Sequence, residues 1–147
     1  MSYKYAKENK IVLWVIIVML VLLFICSVSR AADLSSELSV IRSAAVRNGC
    51  VGNDLLLLCA VRLQENGRAG CEFGVTHLTA WETNLDIQAG WSAATIMAHH
   101  KRFGSPEVTT EFIHSLADRY CPAEVDRQGN INWKRNVPQL YKKLGGK

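Results

Sequence analysis

Proline is scarce in this chain of 147 residues, which contains three prolines, and its ten glycines are only an average share. Those counts exclude a collagen-like or low-complexity polymer. The apolar share of 49% is also too high for a disordered chain. The length allows one domain of ordinary size and little more, and the sequence contains no internal repeat.

Surplus positive charge is small outside the N-terminal segment. The net charge is +4, but the first 32 residues hold four basic side chains and one acidic side chain. Residues 33–147 hold 13 basic and 12 acidic side chains, a surplus of only +1. A surface that follows phosphates needs a concentrated excess of Lys and Arg. We therefore expect no nucleic-acid partner.

The N-terminal segment contains the longest apolar run, the sixteen residues Ile11–Cys26. Three lysines precede this run and small residues follow it, an order typical of a secretory signal peptide cut near Ala32. The run extended through Val28 is also long enough for a membrane anchor. Both interpretations predict that residues 33–147 are exported. The domain would face the periplasm, either free after cleavage of residues 1–32 or anchored in the lipid bilayer of the inner membrane through residues 11–28.

Cysteine usage agrees with export. Cys26 lies in the apolar run, and the exported part contains Cys50, Cys59, Cys71 and Cys121. An even number of cysteines in an oxidising compartment favours two disulfides, for which three pairings are possible. Buried free thiols are the alternative. The sequence contains no Cys-x-x-Cys motif and so does not indicate a zinc ribbon.

The exported part has the pattern of a compact, mainly α-helical domain, with no strand pattern of useful length. Apolar residues recur at helical spacing in five segments, and turn residues separate them. Asn53 or Asp54 would cap the second helix, Asn84 or Asp86 the third, and Ser105 the fourth. The predicted helices are about Leu34–Arg47, Leu55–Gln64, Leu85–Arg102, Pro106–Tyr120 and Asn132–Leu144.

The segment Cys59–Gly67 carries the most distinctive chemistry, because a strongly apolar helix ends there in Glu65 and opens into a glycine-containing loop. Burial penalises the charged form of a carboxyl group and raises its pKa, so that the group can donate a proton near neutral pH. A glycosidic oxygen leaves only when it is protonated, and a glycosidase therefore needs such an acid. An ordinary solvated glutamate at a helix end is the alternative interpretation.

The stretch LLLLCAVRLQENG resembles the catalytic helix of lysozyme-like lytic transglycosylases. The downstream segments GCEFGV, NLDIQAGWSAATI and FIHSLADRYCP follow in a similar order, and NINWKRNVPQLY is similar to small phage and bacterial lysozyme-like proteins. The resemblance covers most of Val40–Tyr141. It departs at Phe73–Thr76, where the family has Gly-Leu-Met-Gln, and at Asn66, where the family usually has serine.

The resemblance implies a lysozyme-like fold and a peptidoglycan-cleaving activity. Glu65 would protonate the bridging oxygen between N-acetylmuramic acid and N-acetylglucosamine, and would then act as the base when the muramyl 6-hydroxyl attacks the anomeric carbon. Hydrolysis by a muramidase normally needs a second carboxylate. Glu72, Glu82 and Asp86 are the candidates, but none has a distinctive context and such residues are more often solvated surface charges. This favours the transglycosylase, with hydrolysis as the alternative.

Substrate binding needs aromatic rings that stack on sugar faces and amides that bind acetamido groups. Gln64, Phe73, Tyr120 and Trp133 are the candidates for this role, with packing in the core as the alternative for each.

Other chemistries have weaker support. His99 and His100 are adjacent on a helix and point about 100° apart, and a single Glu111-x-x-His114 motif is too little for a di-iron site. We expect no metal and no cofactor. A peptidase using Cys71 with a histidine lacks a helix start beside the cysteine, and Gly67–Gly74 is no phosphate loop.

A different class of function uses the same features. A non-catalytic, membrane-anchored helical module of an envelope machine or a phage particle would also need the apolar anchor and would need no second carboxylate.

Overall fold

The computed structural model describes residues 33–147, and within that range Glu37–Lys147 form one compact unit. The described chain is mainly helical and contains no strand, which confirms the predicted α class. Among the described residues, no helix combines the length and the apolar character needed to cross a membrane, and the predicted signal or anchor segment lies outside them. The five helices are α1 (Asp33–Arg47), α2 (Asn53–Glu65), α3 (Leu85–Phe103), α4 (Thr110–Tyr120) and α5 (Arg127–Lys143).

Helix α2 is the central element, as its apolar sequence predicts. Its residues Leu57–Val61 are at most 4% exposed, and the helix packs mainly against α5 and α3. The helix ends directly after Glu65 because Asn66 adopts the left-handed conformation, with φ of 42°, and its backbone N–H donates to the carbonyl of Arg62. This C-cap sets the point at which the chain leaves the core and enters the irregular segment 66–84.

Two of the predicted helix starts are wrong. Gly52, rather than Asn53 or Asp54, is the N-cap of α2, because the carboxylate of Asp54 is instead bonded to His100 Nε2 at 2.7 Å. Ser105 caps no helix. Its hydroxyl accepts only from the backbone N–H of Glu107, and α4 begins later.

Side-chain caps fix the starts of the last three helices. The caps are Asn84, Thr109 and Asp126, whose side chains accept from backbone N–H groups in the first turns of α3, α4 and α5. Such a cap is worth about 1 kcal/mol. Helix α5 therefore begins earlier than the predicted Asn132, because Gly129 lies inside its first turn. A Cβ atom on Gly129 would overlap the capping carboxylate of Asp126, so only glycine leaves room for this cap.

A largely buried ion pair between Arg62 and Glu37 holds the loop that follows Glu65 against α1 and α2. Arg62, 7% exposed, donates through Nε and Nη2 to both carboxylate oxygens of Glu37, at 2.7 and 2.8 Å. Its Nη1 also donates to the backbone carbonyl of Glu72 at 3.4 Å. One guanidinium group thus joins α1, α2 and the loop that follows Glu65. The bidentate geometry leaves little freedom for that loop to move away from α2.

The structure differs from the predicted pair of disulfides. Cys50, Cys59 and Cys71 are buried free thiols, and Cys121 is a half-buried free thiol. Burial raises the pKa of Cys50 to about 12 and that of Cys59 to about 11. Disulfide formation requires a thiolate, which burial disfavours. The alternative of buried free thiols is therefore the state of this structure.

Candidate active site

The carboxyl group of Glu65 is held by a tryptophan from the far end of the chain. The indole Nε1–H of Trp133 donates to Glu65 Oε1 at 2.8 Å. Trp133 lies on α5 and is 2% exposed, so its ring cannot swing away from the bond. The contact joins the last residue of α2 to the middle of α5. It fixes the direction in which the carboxyl group points.

The second oxygen of the same carboxyl group rests against Gly74. A Cβ atom added to Gly74 would lie 2.5 Å from Glu65 Oε2, closer than any ordinary contact. Gly74 also has a φ of +65°, a conformation that residues with a side chain rarely adopt. Glycine is therefore required twice at this position. The absent side chain leaves the space that the carboxyl group occupies.

Burial controls the ionisation of Glu65. It raises the pKa of this carboxyl group above its usual range, and the hydrogen bond from Trp133 partly offsets that effect by favouring the charged form. A carboxyl group with a raised pKa is protonated over a wider pH range and can still release its proton. Both properties are needed by a group that acts first as an acid and then as a base.

Tyr120 extends the aromatic surroundings of the carboxyl group toward solvent. Its ring stacks on Trp133 with the centroids 5.5 Å apart and the planes at 25°. Its hydroxyl is hydrogen-bonded to the buried Ser92 side chain on α3. Burial raises the pKa of the phenol, so Tyr120 stays neutral. The side chain is half-buried, and its exposed part faces a cleft.

A cleft of about 350 Å³ includes Gly74, which is next to the carboxyl group of Glu65, and Tyr120, which stacks on its indole partner. Glu65 itself does not line this cleft. Trp91 forms part of its wall and stacks on His77, with ring centroids 4.4 Å apart and an interplanar angle of 24°. Trp91 is 38% exposed, so one face of this aromatic pair is open to a ligand. The cleft is lined by Gly74, Val75, Thr76, His77, Trp91, Thr95, Arg119 and Tyr120.

A buried amide holds the loop wall of the cleft in place. Gln88 is fully buried on α3 and donates through Nε2 to the carbonyls of Val75 and Ala80, at 3.1 and 2.7 Å. Its Oε1 accepts from the backbone N–H of Val75 at 3.2 Å. The side chain thus substitutes for the backbone partners that this irregular segment lacks. Gln88 is not among the residues predicted from the sequence, although a glutamine on the apolar side of a predicted helix is a usable signal.

The predicted substrate-binding residues lie in different places. Tyr120 and Trp133 are brought together beside Glu65, but Trp133 is buried and holds the carboxyl group rather than offering a ring face to a sugar. Phe73 is fully buried in the core and presents no ring face to a ligand. Gln64 lies outside the aromatic cleft, in a separate groove between the end of α2 and α5 that also contains Asn66. Adjacent helical residues point about 100° apart, which explains why Gln64 and Glu65 face different surfaces.

The three candidates for a second carboxylate all have other partners or surroundings. Arg47 donates through Nη2 to both carboxylate oxygens of Asp86, at 2.6 and 2.7 Å, and Arg68 donates to Glu82 at 2.6 Å. Glu72 is 6% exposed and accepts from the backbone N–H of Gly70 at 3.0 Å, while its Oε2 has no hydrogen-bond partner among the described residues. None of the three lines the cleft beside Glu65.

Histidine and cysteine form no metal centre in the part of the chain that the structure describes, where no cluster of three or more His, Cys, Asp or Glu side chains is arranged to bind an ion. His99 is buried against Phe103 and Phe112, and His100 bonds to Asp54 and to the Ser105 carbonyl. These two rings have structural roles.

Comparisons of the chain with protein-family models, with curated proteins and with solved structures found no match in any of the three. The resemblance to lysozyme-like proteins therefore rests on the sequence motifs alone.

Proposed function

We propose that this protein cleaves the glycosidic bond between N-acetylmuramic acid and N-acetylglucosamine in peptidoglycan, with Glu65 as the general acid and base. One observation carries the proposal. A half-buried carboxyl group with a raised pKa is held between an indole N–H and a glycine, at the edge of an aromatic cleft. General acids of glycosidases need this combination of burial and fixed direction, and the proposal places the substrate in the neighbouring cleft.

The proton is carried on Glu65 Oε2. The indole N–H of Trp133 is only a donor, so Oε1 serves as its acceptor and the other oxygen is free to hold the acidic proton. Oε2 passes this proton to the bridging oxygen as the bond to the anomeric carbon breaks. Glu65 is then a carboxylate, and the charged form is the one that the indole bond favours.

The second step favours cyclisation over hydrolysis. The Glu65 carboxylate takes the proton of the muramyl 6-hydroxyl while that oxygen bonds to the anomeric carbon, which yields a 1,6-anhydro end and restores the acid. The step consumes no water and needs no second carboxylate. This cyclisation suits the site because none of the three candidates for a second carboxylate is free. Glu82 and Asp86 are paired with arginines, and Glu72 is buried beside Gly70. We therefore propose a lytic transglycosylase, with muramidase activity as the alternative chemistry.

The aromatic cleft would hold the sugars. The exposed face of Trp91, supported from behind by His77, offers a stacking surface, and Tyr120 offers a ring edge next to the acid. Thr76 and Thr95 supply hydroxyl groups at the same wall. We place this domain in the periplasm or on the outer face of the inner membrane, on the strength of the N-terminal sequence.

Digestion of purified murein by the wild type and by Glu65→Gln tests the proposal, with product masses read by mass spectrometry. We expect fragments with anhydro-muramyl ends from the wild type and a rate about 1,000-fold lower from the variant, on the order expected for loss of a catalytic acid. Glu82→Gln is the matched control, because it removes an exposed carboxylate outside the cleft.

Each alternative has a distinct result. Reducing ends in place of anhydro ends would assign the muramidase chemistry. Equal release by wild type and Glu65→Gln would refute the assigned acid. Retention of both proteins on murein without any released fragment would favour the non-catalytic binding module.

A further inference from the structure

A second groove lies near the end of α2, and it shares no lining residue with the aromatic cleft. It has a volume of about 600 Å³ and lies between the last turn of α2 and helix α5. Its polar lining consists of four side-chain amides, from Gln64, Asn66, Asn136 and Gln139, together with the ammonium group of Lys143. Gln64 and Asn66 flank Glu65 in sequence, so this end of the groove lies near the end of α2, although Glu65 itself does not line it.

The amides of this groove are available to a ligand. Within residues 33–147, the side-chain amides of Gln64, Asn66 and Gln139 make no hydrogen bond. Each side-chain amide offers two donors and one acceptor, which is the pattern that pairs with the backbone N–H and C=O groups of a peptide. Four such groups in one groove suit an extended peptide chain.

The charge of the groove indicates the sign of its occupant. Lys143 lies at the end remote from Glu65, and the guanidinium of Arg135 donates to the Asn136 side-chain oxygen at 3.2 Å. No carboxylate lines the groove within the described part of the chain. The groove therefore suits a peptide that carries a carboxylate.

The lining of the groove also indicates that its ligand is a peptide rather than a sugar strand. No aromatic side chain of residues 33–147 lines this groove, whereas Trp91, His77 and Tyr120 line the aromatic cleft. Sugar faces are bound by aromatic rings, and peptide groups by amides. The aromatic cleft therefore suits the sugar strand of peptidoglycan, and the amide-lined groove suits the peptide attached to that strand.

The length of the groove fits a short peptide. Asn136, Gln139 and Lys143 lie on one face of α5, and seven residues of helix span about 10 Å. About three residues of extended peptide cover the same distance. Because Gln64 and Asn66 are the sequence neighbours of Glu65, their end of the groove is the end nearer to a muramyl residue bound at the acid.

We propose that the groove lined by Gln64, Asn66, Asn136, Gln139 and Lys143 binds the acidic stem peptide of peptidoglycan, and that the protein prefers peptide-bearing strands over bare glycan. This inference rests on the proposed function for its choice of substrate. In this proposal the groove determines which strands are preferred, and Glu65 carries out the bond cleavage.

The full chain tests the preference on two substrates, purified murein and the same murein stripped of its peptides by an amidase. The measured quantity is the ratio of the two cleavage rates. We expect the wild type to favour peptide-bearing murein and Lys143→Glu to lower the ratio about threefold to fivefold, the effect of losing an exposed ion pair. Lys142→Glu makes the same charge change outside the groove and should keep the wild-type ratio. A wild-type ratio of one, or equal changes in both variants, would overturn the proposal.

A binding measurement separates this proposal from the proposed catalysis. The stem peptide released by the amidase is titrated into the ¹⁵N-labelled protein, and the side-chain NH₂ signals are followed by NMR. We expect shifts at Gln64, Asn66 and Gln139 and none at Gln128, whose amide is bonded to Asn132 elsewhere on α5. Shifts of these NH₂ signals by a protein that cleaves no murein would support peptide binding in the groove and would refute the proposed catalytic function. Absence of the shifts would reject the groove whatever the enzyme activity.

Discussion

Alanine at position 74 should disable the site at a modest cost in stability. Its Cβ atom would lie 2.5 Å from Glu65 Oε2, whereas ordinary contact begins at 3.4 Å, so the carboxyl group must retreat by about 0.9 Å. Trp133 holds the other oxygen at 2.8 Å, and the retreat therefore also distorts that bond. A displacement of about 1 Å in a catalytic group costs about 100-fold in rate. We expect the kcat of Gly74→Ala on murein to fall by about that factor.

The loss of stability in Gly74→Ala has two causes, the left-handed backbone and the contact with Glu65, and the control variant Gly49→Ala separates them. An alanine in the left-handed region costs about 1–2 kcal/mol, and the contact with Glu65 adds to this cost. Gly49 has a φ of +74°, and a Cβ atom added there would have no other atom within 4 Å, so Gly49→Ala incurs the backbone cost alone. Urea denaturation of both variants gives the two free energies of unfolding. Their difference measures the contact with the carboxyl group.

A further variant checks that the carboxyl group is the source of the difference. In a Glu65→Ala background the space beside position 74 is empty, and Gly74→Ala should then cost no more than Gly49→Ala. The close contact is refuted as the cause if Gly74→Ala retains more than about a third of the wild-type rate, because a displacement of this size predicts a far larger loss. It is also refuted if the extra cost persists after Glu65 has been truncated.

Three further predictions use the same assays. Trp133→Phe removes the hydrogen bond that lowers the pKa of Glu65, so the alkaline limb of the pH–rate profile should move to higher pH; an unchanged limb would contradict the assignment. The wild type should lose stability as the pH rises from about 4.3, the pKa of Glu65 in the unfolded chain, through its raised pKa in the folded protein, because burial then penalises the charged carboxylate. Glu65→Gln carries no such charge, so its stability relative to the wild type should increase over the same pH range. Urea denaturation at pH 4 and pH 8 measures this gain, and equal differences at both values would contradict it. Arg62→Met should lower the free energy of unfolding by about 3 kcal/mol, since it leaves the carboxylate of Glu37 half-buried and unpaired, and adding Glu37→Leu should restore much of the loss.

Local sequence patterns were enough to predict the helices wherever one signal acted alone. The apolar run before Glu65 predicted α2, and Asn84, one of the two caps predicted for the third helix, is the cap that forms at the start of α3. The prediction failed where two signals competed. Ser105 before Pro106 is a good helix start, but Thr109 caps the helix that forms. The last helix was predicted to begin at Asn132, but Gly129 leaves space for the capping carboxylate of Asp126, so the helix begins at Arg127.

The candidate acid could be proposed from its neighbours in sequence, but its environment could not. Trp133 lies 68 residues away, and no local pattern indicates that its indole N–H bonds to Glu65. Gly74 was visible only as one glycine in a segment with several. The close approach that requires it exists only after α2 and the loop have packed together. Gln64 shows the opposite error, since closeness in sequence to Glu65 places it on a different face.

The residues around Glu65 oppose folding in ways that an ordinary helix end does not. A half-buried carboxyl group and a left-handed Asn66 each cost free energy, and both lie at the same end of α2. Each has a more stable local alternative, which is glutamine at 65 and glycine at 66. Gly74 adopts its positive φ without such a cost, but only a glycine leaves room for the carboxyl group there. The buried network of Arg62 and Gln88 holds the loop in spite of these costs. Local choices that oppose the fold and converge on one reactive group favour a functional origin over a structural one. Glu65→Gln tests this conflict directly, because the same substitution should raise stability at neutral pH and abolish the reaction.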